Sequence, residues 1–139
     1  MDKKNIYSSY GEEKVKYRDK FTGEFEIKRI LNYSVPIEQE MYYVTFKSGC
    51  ITRPHIHMSE QILVATKGRG IVVIAEKADI HNTNNTNIGL ERVREIRMEE
   101  GDVVCVPTGS LHWHGSAEKN KDFSHIAIRK KTDLPNIWL

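Results

Sequence analysis

Histidines are the side chains of this 139-residue sequence best able to do chemistry, and four of its six lie in two short strings. The first runs Gly49-Cys50-Ile51-Thr52-Arg53-Pro54-His55-Ile56-His57 and continues Met58-Ser59-Glu60-Gln61. The second runs Gly101-Asp102-Val103-Val104-Cys105-Val106-Pro107-Thr108-Gly109-Ser110-Leu111-His112-Trp113-His114. Side chains on a strand alternate between faces, so His55 and His57 project from the same side of an extended segment. Two imidazoles so placed can share one metal ion, with nitrogens about 2.0–2.1 Å from a zinc-like centre. Gln61 keeps their parity and Glu60 does not. A carboxylate is the better ligand by type, yet alternation favours Gln61 over Glu60 unless the turn at Met58-Ser59 breaks the count. His112 follows a Pro-x-Gly turn and can bring a third imidazole from a separate strand. His114 shares the parity of His112 and can line the same cavity, with a structural role as the plainer reading. In the later segment Phe123, His125 and Ala127 alternate with Ser124, Ile126 and Ile128. One face is thus aliphatic, and His125 on the other is a candidate for the interior near the metal, or else a structural histidine in the wall. Arg53 has the parity of His55 and His57 and can clamp a substrate carboxylate, against the commoner case of a solvated arginine.

Strands must position these groups. Isoleucine and valine total 25 residues against five alanines, a bias toward β-structure. From Glu40 the chain reads as short β-segments: Met41–Lys47, Ile51–His57, Gln61–Thr66, Ile71–Glu76, Glu91–Met98, Val103–Val106, Leu111–Gly115 and Phe123–Arg129. Turn residues separate them at Ser48-Gly49, Lys67-Gly68, Glu100-Gly101-Asp102 and Pro107-Thr108-Gly109. Eight such strands predict an all-β sandwich or barrel. The first thirty residues carry eight Lys/Arg and six Asp/Glu. They read as a solvated charged arm, 1–30, turning strand-like at Glu24–Leu31 and leading into a barrel domain over 31–139. Asp79–Gly89 is asparagine-rich and reads as a long exposed loop that carries His81 at the surface.

The two strings together resemble the paired motifs of the cupin superfamily. The first of these is a Gly, five residues, His-x-His, then an acidic or amide ligand and a Gly; the second is a Gly, five residues and Pro-x-Gly-x-x-His. The match falls at Gly49, His55, His57, Gln61, Gly101, Pro107, Gly109 and His112, within residues 40–130. Gln in place of the commoner Glu is similar to a narrower group of single-domain cupins, as are Gln61…Gly70, His112-Trp113-His114-Gly115 and His125-Ile126-Ala127-Ile128. That group is related to manganese-dependent hydroxynitrile lyases and carboxymuconolactone-decarboxylase-associated proteins. The resemblance implies a jelly-roll barrel that pairs as a homodimer. It implies one divalent transition metal (Mn, Fe, Ni, Co or Zn) on His55, His57, Gln61 and His112, with His125 acting near the substrate. Arg53-Pro54 before the first histidine and the asparagine-rich loop depart from the group's pattern.

A metal held by neutral ligands keeps its full charge and suits an anionic substrate oxygen. The expected activity is metal-dependent chemistry on a small oxygenated molecule, foremost lyase-type carbon–carbon cleavage. Metal-dependent dioxygenation, isomerisation and non-catalytic binding of a small ligand or sugar are the alternatives. A formal net charge of +2 argues against a nucleic-acid footprint. No apolar run approaches the roughly 18 residues of a membrane span, and residues 1–20 carry no apolar segment of a secretory signal. With two cysteines, Cys50 and Cys105, expected as reduced core residues, a cytoplasmic setting is expected. Trp113 and Trp138 are expected to anchor packing, Trp138 against a partner subunit.

Overall fold

The computed structural model describes residues 3–10, 14–76 and 92–139. The asparagine-rich segment and His81 lie outside the described residues. The chain forms β1 (Phe25–Arg29), β2 (Gln39–Phe46), β3 (His55–Ile56), β4 (Gln61–Lys67), β5 (Gly70–Glu76), β6 (Arg92–Met98), β7 (Val103–Val106), β8 (Leu111–Ser116), β9 (Phe123–Lys130) and β10 (Ile137–Trp138). One helical turn, Lys14–Tyr17, and a 3-10 turn, Arg18–Lys20, precede them. The strands make two five-stranded sheets, β1-β2-β9-β4-β7 and β10-β3-β8-β5-β6. Every pairing is antiparallel. This all-β arrangement is consistent with a jelly roll.

Period-two alternation decides which side chains meet between the sheets. In β4, Gln61, Leu63 and Ala65 are buried while Ile62 faces out. Phe25, Phe46, Leu63, Val72, Met98, Val106 and Phe123 form the core with Phe21. Phe21 lies flat on Phe25, their centroids 3.8 Å apart. The end of the charged N-terminal stretch is therefore packed in, with β1 hydrogen-bonded to β2. Gly70 owes its identity to this core, because a Cβ there would come within 2.3–2.5 Å of the Phe123 ring.

Alternation also leaves two apolar rows on the outer face of the first sheet. Register aligns Met41, Ile128, Ile62 and Cys105 in one and Tyr43, Ile126, Val64 and Val103 in the other. Tyr7 packs edge-on against Tyr43. Ile62 and Val103 are exposed.

Several expectations need correction. The segment Ile51–His57 is not one strand: only His55–Ile56 joins the ladder, while Ile51 and Thr52 make isolated bridges. Pro54 has no N–H to donate and interrupts the alternation. Strand β10 went unrecognised because two residues carry no period. Trp138, a packing anchor as expected, pairs with His55 within its own chain and stacks on that ring. Cys50 is buried, but Cys105 is exposed on outward-facing positions of β7.

Candidate metal centre

The site lies between the sheets and draws on both. The second sheet supplies His55 from β3, His57 just beyond it, and His112 and His114 from β8. The first supplies Gln61 from β4 and His125 and Arg129 from β9. Antiparallel pairing puts His55 directly beside His112, and their ring centroids are 4.2 Å apart. The His57 ring is 4.7 Å from that of His55 and 5.1 Å from that of His112. Gly109, at φ +78°, takes the left-handed conformation of the turn before β8. Its N–H donates to the His57 carbonyl at 2.9 Å, tying the two histidine strings together.

Hydrogen bonds fix which nitrogen each ring presents. His55 Nδ1–H donates to the Arg53 carbonyl at 2.7 Å, and His112 Nδ1–H to the Ser110 carbonyl at 2.9 Å. A carbonyl only accepts, so both neutral rings carry their proton on Nδ1 and leave Nε2 bare. His112 Nε2 then stands 3.3 Å from Gln61 Oε1, one acceptor facing another. His57 Nε2 is buried with no hydrogen-bond partner among the described residues. Inward acceptors of this kind suit a bound cation, so the residues fit a metal. Nitrogens of His55, His112 and His114 also lie within 4.8 Å of one another. His114 Nδ1, however, is 3.1 Å from His125 Nε2. His55 and His112 are common to both candidate arrangements, His57 and His114 compete as the further imidazole, and Gln61 lies beside His112.

Burial keeps the rings neutral. It pushes the His55 pKa down to about 2, helped by His112 and His57. Burial likewise takes His57 to about 4, against the opposing bond from Asn136, and His125 to about 4. His112 is lowered and His114 lies well below the ordinary imidazole value, again through burial first. Lone pairs are therefore available at neutral pH.

The other candidates divide. Gln61 is buried and Glu60 exposed, as alternation favoured. His114 and His125 line the cavity with His55, His57 and Gln61. Arg53 does not: its side chain is exposed because Pro54 breaks the alternation, and only its carbonyl reaches the site. The arginine on the cavity wall is Arg129. Its Nε donates to Glu40 Oε2 at 2.9 Å, and its Nη1 lies 2.6 Å from Asn136 Oδ1 and 2.7 Å from His57 Nδ1. Arg129 continues the alternation Phe123, His125, Ala127 by one step, a signal present in the sequence. Asn136 and Trp138 carried none as site residues. The cavity is small, with about 70 Å³ of space open to water, and Tyr17, Phe21, Tyr42, Phe46 and Trp138 make its walls largely aromatic.

Residues 37–134, 98 of the chain's 139, match the cupin family, Cupin_1. The chain belongs to the cupin family. This cupin is 31% identical over 115 residues to the (R)-mandelonitrile lyase of Granulicella tundricola, covering 83% of this chain and 75% of that protein. It is 28% identical to a cupin-like protein of Thermotoga maritima whose crystal structure superposes with a TM-score of 0.65, covering 87% of this chain and 80% of that one. The polyketide cyclase RemF of Streptomyces resistomycificus shares the fold at 13% identity, with a TM-score of 0.73 over 100% of this chain and 85% of that one. Among the described residues no helix is long and apolar enough to cross a membrane.

Proposed function

We propose that this cupin is a metal-dependent lyase that cleaves a carbon–carbon bond in a small hydroxylated molecule of the α-hydroxynitrile type. The observation that carries this reading is the convergence of bare acceptors, Nε2 of His55 and His112 with Gln61 Oε1, beside the unpartnered Nε2 of His57. One divalent transition metal, from among Mn, Fe, Ni, Co and Zn, would be held by His55, His57, His112 and Gln61 and supply Lewis acidity undiminished by ligand charge. The likeness to an (R)-mandelonitrile lyase supports the reaction class.

The protein's own groups account for proton movement. His125 lines the cavity, and its Nδ1 has no partner among the described residues. With its Nε2–H donated to His114 Nδ1, His125 keeps Nδ1 as a base, and burial holds the ring neutral near pH 7. It takes the substrate hydroxyl proton as the C–C bond breaks and the bonding pair leaves with cyanide. The carbonyl product forms, and the same nitrogen returns the proton to the leaving group. The aromatic walls hold the organic part of the substrate and limit water. Two copies pairing through the apolar rows of the first sheet complete the reading.

Metal analysis of the wild type beside His112→Ala, with turnover of mandelonitrile followed as benzaldehyde release, tests the proposal. About one ion per chain, lost in the variant together with activity, is expected. Absence of metal after reconstitution refutes it. Metal without cleavage turns attention to dioxygen-dependent or isomerising chemistry, or to simple binding. His57→Ala compared with His114→Ala identifies the third imidazole.

A further inference from the structure

The proposed centre leaves one ligand underdetermined by its own ring, and the chain's C-terminal segment resolves it. Neutral His57 has one proton and two nitrogens to hold it. Its Nδ1 faces two partners of opposite demand: Asn136 Oδ1 at 3.0 Å, which only accepts, and Arg129 Nη1 at 2.7 Å, which only donates. If Nδ1 donates to Asn136, Nε2 is bare and can bind a metal. If Nδ1 accepts from Arg129, the proton sits on Nε2 and closes that position. His55 and His112 face no such choice, because backbone carbonyls hold their Nδ1–H.

We infer that Asn136 is a positioning residue for the metal: its side-chain oxygen selects the tautomer in which His57 is a ligand, against the opposite preference of Arg129. This rests on the metal reading above. Asn136 is well held for the task. Arg129, itself braced by Glu40, donates to the same oxygen at 2.6 Å. That bond also turns the amide, since with Oδ1 committed to two donors the NH₂ group points away from His57. Beyond it, β10 pairs with β3, the Leu139 N–H donates to the Pro54 carbonyl at 3.0 Å, and Trp138 stacks on His55 with centroids 4.3 Å apart. The segment thus reaches both histidines of the first string, although its residues are remote from them in sequence. A ligand's outer partner is typically worth about 10–100-fold in metal affinity.

Cobalt(II) is the probe, read by its visible absorption spectrum and by competition against a chelating dye, in the full chain, with the metal-free melting curve of each variant as a folding control. Asn136→Ala should bind cobalt about 10–100-fold more weakly than wild type, with an altered spectrum, because Arg129 is left as the sole partner of Nδ1. Asn136→Asp keeps the acceptor and should stay close to wild type. Adding Arg129→Met to Asn136→Ala removes the opposing donor and should recover much of the lost affinity, which a loss of packing would not do. Asn136→Leu, close to asparagine in shape, carries the test if the alanine variant melts early. Wild-type affinity and spectrum in Asn136→Ala and Asn136→Leu, or a double variant no better than the single one, overturns the inference. Failure of the wild type to bind cobalt overturns the metal reading itself.

Discussion

Acidification should destabilise the metal-free protein before its carboxylates titrate. In the unfolded chain each imidazole titrates near its ordinary pKa of about 6.5. In the fold, burial holds His55 at about 2 and His57 and His125 at about 4. Between those limits the unfolded state binds protons that the native state does not, so stability rises with pH and is lost as pH falls below about 6.5. At pH 5 the native rings are still neutral, so the loss follows from the unfolded value alone and comes to about 2 kcal/mol for each ring relative to pH 7.5. Three rings give about 6 kcal/mol, set against a typical domain stability of about 5–15 kcal/mol. His112 and His114 shift in the same direction and add to it. Urea unfolding of chelator-treated protein at pH 7.5, 6 and 5, followed by far-ultraviolet circular dichroism, measures the effect. The midpoint should fall steeply over that interval. A change below about 1 kcal/mol between pH 7.5 and pH 5 would mean that the rings are not held neutral in a dry interior, and the site as described would be wrong.

Three other outcomes are expected. His125→Gln should keep its metal, assayed by mass spectrometry, while turnover falls by about 10²–10⁴-fold, the usual contribution of a positioned base. Gly70→Ala should lose about 1–3 kcal/mol in denaturant titration, because its new methyl group must displace the buried Phe123 ring; an unchanged midpoint would show that the core yields freely there. Ile62→Lys combined with Val103→Lys places charges in both exposed apolar rows and should shift a dimer to monomer in light scattering, with the melting temperature little altered.

Much of this site could be read from residue order because its geometry is periodic. Where a segment is a true strand, as in β4 and β9, parity put Gln61 and His125 inside, and the structure buries both. The Pro-x-Gly turn located His112 for the same reason: a left-handed glycine fixes where the strand resumes. Parity failed at Arg53, where Pro54 breaks the extended run, and the side chain that alternation would point inward is exposed. The expectation of a core position failed at Cys105, which shares the outward face of β7 with Val103. Asn136 and Trp138 were invisible to any local rule, since they reach His57 and His55 only through the pairing of β10 with β3. Long-range pairing leaves no local pattern in a two-residue strand.

The division of the proposed donors between the sheets has a mechanical consequence. The imidazoles stand on one wall of the sandwich and Gln61 on the other; among the described residues, His125–His114 and the bonds of Arg129 to His57 and Asn136 cross that gap, and non-directional apolar contact joins the layers through the core. An ion gripped from both walls would act as a rivet: it would resist the sheets sliding or parting, and backbone amides of β4 and β8 would exchange their hydrogens more slowly as a pair. The same cavity would then be stiff when loaded and free to breathe when empty.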